Sequence, residues 1–339
     1  MGGDHAPDAI LAGCLDAADL LAPDDRLVLI GDEAIIRDEL AERNLSDDPR
    51  YEVHPTTQVI TMAQSPVTAI RSMPDSSIVQ MAQMAGRRAG EGRCDVIISA
   101  GNTGACVAAA QMAMRRLPGV HRPGIAVTMP SFSGPVVVCD VGANPDPKPS
   151  HLYQYAQMAR VFAQRIVGIE RPRVAMMNIG GEEGKGSWLV KRTHELLKSR
   201  AGTALNYVGY VEGRDLFEGN VDVVVTEGFT GNVVLKLAEG LIAGLFKTIA
   251  REIFATDPQL AMQFEPVVKE IYRKHDYHEY GGAPLLGANG ICIICHGSSE
   301  ARTITAAIRN AMEVARHDVN AAIIEALRDE PVAGGEGAA

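Results

Sequence analysis

Short apolar runs alternate along the chain with longer stretches of helical spacing. Runs at 27–31 (LVLIG), 51–54, 95–99, 124–129, 136–140, 173–178, 206–210, 222–226 and 291–295 read as strands. Most carry too few polar positions for a half-exposed strand and suit a parallel sheet buried on both faces. The runs 124–129 and 136–140 are joined by SFSG and read as a hairpin. Helical spacing predicts helices at 10–21, 33–43, 75–90 with Asp75 as cap, from Ser150 to about 167, up to about 199, and from 300 to about 327. Residues 55–74 read as a polar connection. The helical pattern from Thr230 is long, breaks at Asp257-Pro258 and resumes to about 273. No linker interrupts the alternation. The expectation is one α/β domain over 1–330: a three-layer α/β/α sandwich, Rossmann-like and doubly wound, with a mostly parallel sheet. The apolar helical pair at about 233–275 is expected to protrude and to meet a second subunit or a membrane surface. The small polar tail 331–339 is expected to be disordered.

One unit occurs twice, as DVIISAGNTGACV (95–107) and DVVVTEGFTGNVV (222–234). Each is a strand, a glycine (Gly101, Gly228), a Thr-Gly pair (Thr103-Gly104, Thr230-Gly231) and a helix. Such a turn aims backbone N–H groups and a positive dipole end at an anion, most simply phosphate. Two ordinary strand–helix turns are the plainer reading; Asn102 and Asn232, able to donate to an oxyanion, favour a site. The segment D-V-G-A-N adds Asp140 and Asn144. In 179–187 a Gly-rich loop opens a helix, but Ile179 stands where a Walker loop needs Gly, and Gly186 rather than Ser or Thr follows Lys185. What survives is a lysine fit to hold phosphate or a developing oxyanion, against the alternative of a solvated loop lysine. His296 follows the last strand and is as readily structural as catalytic. Asn102, Asn144, Lys185, Asn232 and His296 all follow strands. They include no activated nucleophile, so the chemistry they suit is positioning a substrate that is itself the nucleophile.

Charge narrows the options. The 339 residues are 46% hydrophobic and 22% charged with net charge −10, the wrong sign for a general nucleic-acid binder. Six cysteines with no signal-like or membrane-spanning run read as reduced thiols of a cytoplasmic protein. Cys292 and Cys295 have redox spacing, but three apart on a strand they face opposite sides. His275 and His278 have helical spacing without a third ligand, so no metal is expected, and no cofactor is implied.

GGDHAP, DSSI (75–78), SAGNTGA (99–105), DVGAN with KPSHL (148–152), NIGGEEGKG (178–186), VEGRD (211–215), EGFTGNVVLK (227–236), YGGAPLLGANG (280–290) and HGSSEA (296–301) closely resemble the phosphate acyltransferases of bacterial phospholipid synthesis. The resemblance spans nearly the whole chain. It implies attack of inorganic phosphate on the acyl thioester of acyl carrier protein, giving acyl phosphate. It also implies a homodimer, cytoplasmic and peripherally membrane-associated, passing product to a membrane glycerol-3-phosphate acyltransferase. Lys185, Asn232 and His296 are then the expected catalytic residues. Gly101, Asn102, Thr103, Gly104, Asp140, Asn144, Gly228, Thr230 and Gly231 are expected at phosphate or substrate. Carrier protein is acidic, so its docking is expected on a local basic patch, Arg115, Arg116 and Arg122. The chain departs from the family at Ala63-Gln64-Ser65, where acidic residues are usual, at Gly181 for Glu and at Pro147 for Cys. The family's short strand before GGDHAP is expected upstream of Met1, near the middle of the sheet. The alternatives are a phosphotransacetylase-like enzyme using acyl-CoA, a decarboxylating dehydrogenase, which the missing Gly-x-Gly-x-x-Gly fingerprint disfavours, and a non-catalytic membrane-docked scaffold.

Overall fold

The computed structural model describes residues 2–200, 204–274 and 280–329. His275, His278 and the tail 331–339 lie outside the described residues. In chain order the elements begin α1 (Asp8–Asp16), β1 (Leu27–Gly31), α2 (Glu33–Glu42), β2 (Tyr51–Pro55), α3 (Pro66–Ser72), α4 (Ser77–Met84), β3 (Val96–Ser99) and α5 (Thr103–Ala113). They continue with β4 (Gly124–Ser131), β5 (Gly134–Cys139), α6 (Pro149–Phe162), β6 (Val174–Met177), α7 (Trp188–Lys198), β7 (Tyr207–Val211) and β8 (Val223–Val225). The last are α8 (Gly228–Thr256), α9 (Pro258–Lys274), β9 (Ala283–Leu286), β10 (Ile291–Ile294), α10 (Ala301–Arg316) and α11 (Val319–Asp329). The described residues divide into two compact units, one of 2–123 with 280–328 and the other of 124–200, 204–274 and 329.

In the first unit β1 and β2 pair in parallel, and β10 lies between parallel β3 and antiparallel β9. Strand alternation decides what each face buries. Ile293 and Cys295 pack with Ala17, Ile304, Ala307 and Ile308 towards α1 and α10. Cys292 faces the other way, its Sγ 3.9 Å from Cys106 Sγ of α5. The two cysteines of the CxxC spacing are therefore on opposite faces, and burial pushes the Cys295 thiol up to about 12. Helices thus cover both sides of these strands.

In the second unit β4 and β5 form the expected hairpin, and β5, β8, β6 and β7 follow in parallel. α6 is buried from Leu152 to Phe162 and packs on β5 and β8, with α7 beside it on β6 and β7. α9 packs against α8. The fold class is α/β with a mostly parallel sheet. Among the described residues no helix is long and apolar enough to cross a membrane.

Four local expectations change. The polar connection contains α3, which Pro66 starts without losing a needed donor. Asp75 is no helix cap, because its carboxylate takes the Thr57 N–H and hydroxyl, and α4 starts after Ser76. The turn-rich YGGAPLLGANG holds β9, whose pairing with β10 overrides its Gly and Pro punctuation. The last helix is two, broken at Asp318 with φ 47°.

Candidate functional site

In the first unit four segments pack together where β3 and β10 end. The Gly101 N–H donates to Ser99 Oγ at 3.2 Å and turns the chain out of β3. Asn102 caps α5, its Oδ1 accepting the Ala105 N–H at 3.0 Å. Its Nδ2 donates to the carbonyls of Thr61 (3.1 Å), Gln64 (3.2 Å) and Met62 (3.4 Å). Both ends of this buried amide are committed. Asn102, expected to donate to an oxyanion, here positions the 61–64 loop. The open donors are backbone ones: the N–H groups of Thr103 and Gly104, first in α5, have no partner among the described residues. They sit at the positive end of the helix, the arrangement that binds phosphate. A Cβ on Gly104 would lie 2.6 Å from Pro66 Cγ, so glycine lets α3 approach this turn.

His296 follows β10. Its Nδ1 accepts the Ser298 N–H at 3.2 Å, with Ser298 Oγ at 2.7 Å, so the neutral ring carries its proton on Nε2. Next to it the Asp4 N–H donates to the Gly297 carbonyl at 2.7 Å. Gly2 and Gly3 adopt φ 128° and 127°, conformations that only glycine takes readily. A Cβ on Gly3 would lie 2.9 Å from the Ala100 carbonyl oxygen. The GGDH turn thus brings exposed Asp4 to this cluster. In the sequence GGDHAP served as a family motif, with no role assigned to Asp4; the paired glycines were the available signal.

In the second unit the D-V-G-A-N loop and the second turn fit into each other. Asp140 is 0% exposed. Its Oδ1 accepts N–H groups from Ile125 (2.9 Å), Ala143 (3.0 Å) and Gly142 (3.2 Å), and its Oδ2 that of Asn144 (2.7 Å). Burial pushes its carboxyl up, and those N–H groups pull it back. Asp140, expected at phosphate, here holds the loop through these four bonds. Asn144 is likewise committed, its Nδ2 to Tyr155 Oη at 2.7 Å and its carbonyl to the Gly228 N–H at 2.8 Å. Gly228 and Gly231 are close-approach glycines: a Cβ would lie 2.8 Å from the Asn144 carbonyl oxygen and 1.9 Å from that of Asp140, respectively.

The second turn differs from the first at its helix end. Glu227, where the first copy has Ala100, caps α8 and accepts the N–H groups of Phe229 (2.6 Å) and Thr230 (2.9 Å) and the Thr230 hydroxyl. A carboxylate of the chain itself occupies this positive helix end, where Thr230 was expected to meet phosphate. In register, Asn102 matches Phe229 and Asn232 matches Ala105, so the two asparagines are not equivalent. Asn232 is exposed on the first turn of α8.

Lys185 stands on an exposed loop, with Nζ 2.8 Å from Glu182 Oε1. The pairing holds the Glu182 carboxyl below its ordinary value. Asn178 closes this loop, a role the sequence did not reveal. Its Nδ2 donates to the carbonyls of Gly180 (3.0 Å) and Lys185 (3.3 Å), and its Oδ1 accepts the Ile179 N–H (2.8 Å). Arg115, Arg116 and Arg122 are exposed; Arg116 donates to the His121 carbonyl and staples its own loop. Among the described residues no three His, Cys, Asp or Glu side chains are grouped to hold a metal.

The family model described as fatty acid synthesis protein matches residues 1–322. A phosphate acyltransferase of Heliobacterium modesticaldum is 42% identical over 331 residues, 97% of this chain and 95% of that one. One from Pelotomaculum thermopropionicum is 44% identical over 332 residues, 97% and 92% of the two chains. Among solved structures, a phosphotransacetylase from Streptococcus pyogenes matches with TM-score 0.57 at 15% identity, covering 94% of this chain and 91% of that one. A phosphotransacetylase from Staphylococcus aureus matches with TM-score 0.54 at 16% identity, covering 95% and 92%. These two likenesses are of fold alone.

Proposed function

The chain belongs to the phosphate acyltransferase family, and from that premise we propose that it transfers an acyl group from acyl carrier protein to inorganic phosphate for phospholipid synthesis. The observation that carries the reading is the pair of open N–H groups of Thr103 and Gly104 at the start of α5. They are placed to receive the phosphate dianion. A phosphate oxygen attacks the thioester carbonyl carbon, and a tetrahedral oxyanion forms. The carbon–sulfur bond then breaks, leaving acyl phosphate and the carrier thiolate, which takes up a proton. His296 hydrogen-bonds the departing sulfur through its Nε2–H, and the proton the thiolate takes up comes from the phosphate hydroxyl or from solvent. For Lys185 and Asn232, on the second unit, the family resemblance implies charge offset on phosphate or oxyanion and a further amide donor.

The test incubates the protein with palmitoyl-acyl carrier protein and follows free carrier thiol with and without phosphate, trapping acyl phosphate with hydroxylamine. Phosphate-dependent release supports the reading. Equal or better turnover of palmitoyl-CoA would favour the CoA-dependent alternative, and no release from either would sink the enzymatic assignment. Lys185→Ala is expected to lower turnover at saturating carrier.

The helical pair supports a homodimer that touches the membrane peripherally. Leu237, Leu241 and Leu245 on α8 are 68%, 66% and 55% exposed, and Met262 and Val267 on α9 are exposed as well. So large an apolar face suits burial against a second copy, with a lipid surface at its end receiving acyl phosphate for a membrane glycerol-3-phosphate acyltransferase. Leu241→Asp is expected to yield monomer in sedimentation velocity; an unchanged dimer, or a monomeric parent, would remove this assignment.

A further inference from the structure

The first unit carries a second concave surface away from the start of α5. A groove of about 1020 Å³ runs between α4 and α5 towards their C-terminal ends. Its floor is apolar, with Ile70, Val79, Ala109 and Met112, and Met112 is 59% exposed. Its rim carries Arg87, Arg88 and Arg115. Among the described residues none of those lining it is acidic, although the chain has 42 Asp and Glu against 32 Lys and Arg.

The rim is built, not incidental. With the Asn289 amide turned so that its oxygen faces Arg87, Arg87 Nε and Nη2 donate to it at 3.1 and 3.2 Å. Arg93 ties the end of α4 to the same residue, donating to the carbonyls of Ala85 (3.1 Å) and Asn289 (2.8 Å). The Asn289 N–H in turn donates to the Arg115 carbonyl at 3.1 Å, holding Arg115 at φ 70° where α5 ends. The guanidinium groups of Arg88 and Arg115 have no partner among the described residues. Two uncommitted cations beside a solvent-open apolar floor match an amphipathic helix with acidic flanks.

We infer that this groove docks an acidic carrier protein, one of whose helices lays its apolar face on Met112 and Val79 and its carboxylates on Arg88 and Arg115. The inference rests on the acyl-transfer reading above. Ala113 stands about 15 Å along α5 from Thr103 at the helical rise per residue. A partner held here reaches the open N–H groups only with its acyl group on an extended arm, as a carrier's thioester is. Of the three arginines singled out in the sequence, only Arg115 lines the groove.

The test uses the full chain. Binding of fluorescein-labelled acyl carrier protein is read by anisotropy, and KM is measured separately for palmitoyl-acyl carrier protein, phosphate and a carrier-free acyl-pantetheine thioester. The variants are Arg88→Glu with Arg115→Glu, and Met112→Asp; Arg171→Glu with Arg328→Glu makes the same charge change elsewhere. Groove variants are expected to weaken carrier binding and raise carrier KM about tenfold or more, with carrier-free turnover and phosphate KM unchanged and the control within twofold. Carrier binding within twofold of the parent in both groove variants overturns the inference. So does an equal loss with the carrier-free thioester, a parent that binds no carrier, or arginine-dependent binding of phosphatidylglycerol vesicles in place of carrier. If the parent binds carrier through these arginines but releases no thiol, the groove stands and the acyl-transfer reading fails.

Discussion

Gly231 and Gly240 lie on the same helix, and replacing each by alanine should move stability in opposite directions. Helix propensity alone favours Ala over Gly by up to about 1 kcal/mol at an interior helical position. At Gly240 a Cβ meets nothing within 4 Å, so that gain should be realised, at about 0.5–1 kcal/mol. At Gly231 the Cβ would lie 1.9 Å from the Asp140 carbonyl oxygen and 2.9 Å from its carbon. Both are backbone atoms, and Asp140 is held by four N–H groups, so the loop cannot yield cheaply. The first turn of α8 must move away by more than an ångström. Overpacking of this kind costs roughly 1–3 kcal/mol, and loss of the Gly228 to Asn144 hydrogen bond adds about 1 kcal/mol. After the propensity gain the expected net loss is about 2 kcal/mol. Urea titration followed by circular dichroism, with the slope compared between variants, reads the difference as a shift in midpoint. Should Gly231→Ala prove as stable as the parent, or gain as much as Gly240→Ala, the close-approach explanation of the second Thr-Gly turn is wrong.

Three further outcomes are expected. Asp222 accepts from Arg173 Nε at 2.9 Å and Nη2 at 2.8 Å; burial pushes its carboxyl up, but these bonds pull it below the ordinary value overall. Its contribution is present above the unfolded value of roughly 3.9 and is lost as pH falls through the lowered one. Asp222→Asn should therefore cost about 1–2 kcal/mol at pH 7, a gap that closes on acidification in urea melts run across pH. The His194 ring stacks on Tyr210 at 4.2 Å with Nδ1 2.6 Å from Tyr207 Oη, and burial lowers its pKa. The unfolded chain takes up that proton first, so stability should drop as pH falls through roughly 6.5, and His194→Phe should flatten the drop in melts at pH 5 and 8. Gly104→Ala should raise the phosphate KM about tenfold by pushing the open N–H groups off Pro66, with carrier binding unchanged; a normal phosphate KM would argue against the α5 site.

The strands at 27–31 and 291–295 and the hairpin at SFSG were legible because a short apolar period and its turn chemistry are read within a few residues. β9 was not, because Gly281, Gly282 and Pro284 outweigh its apolar residues until β10 pairs with it. The repeat identified a helix end able to bind an anion, and Thr103 and Gly104 keep that character. It could not separate the two copies. Only the fold shows Glu227 seated on the second helix end and the Asn102 amide drawn to carbonyls about forty residues earlier.

By itself the sequence determined the alternation of most strands and helices, the α/β class, the family resemblance and which atoms are chemically able to bind phosphate or an acidic partner. Those properties reside in local periodicity and side-chain type. The tertiary structure decided which of those atoms are already committed. Asp140 receives four backbone donors, Asn144 reaches Tyr155, and Arg87 and Arg93 converge on Asn289 from about two hundred residues away. A buried polar group must find partners wherever the fold places them, and that accounting closes across the chain rather than along it.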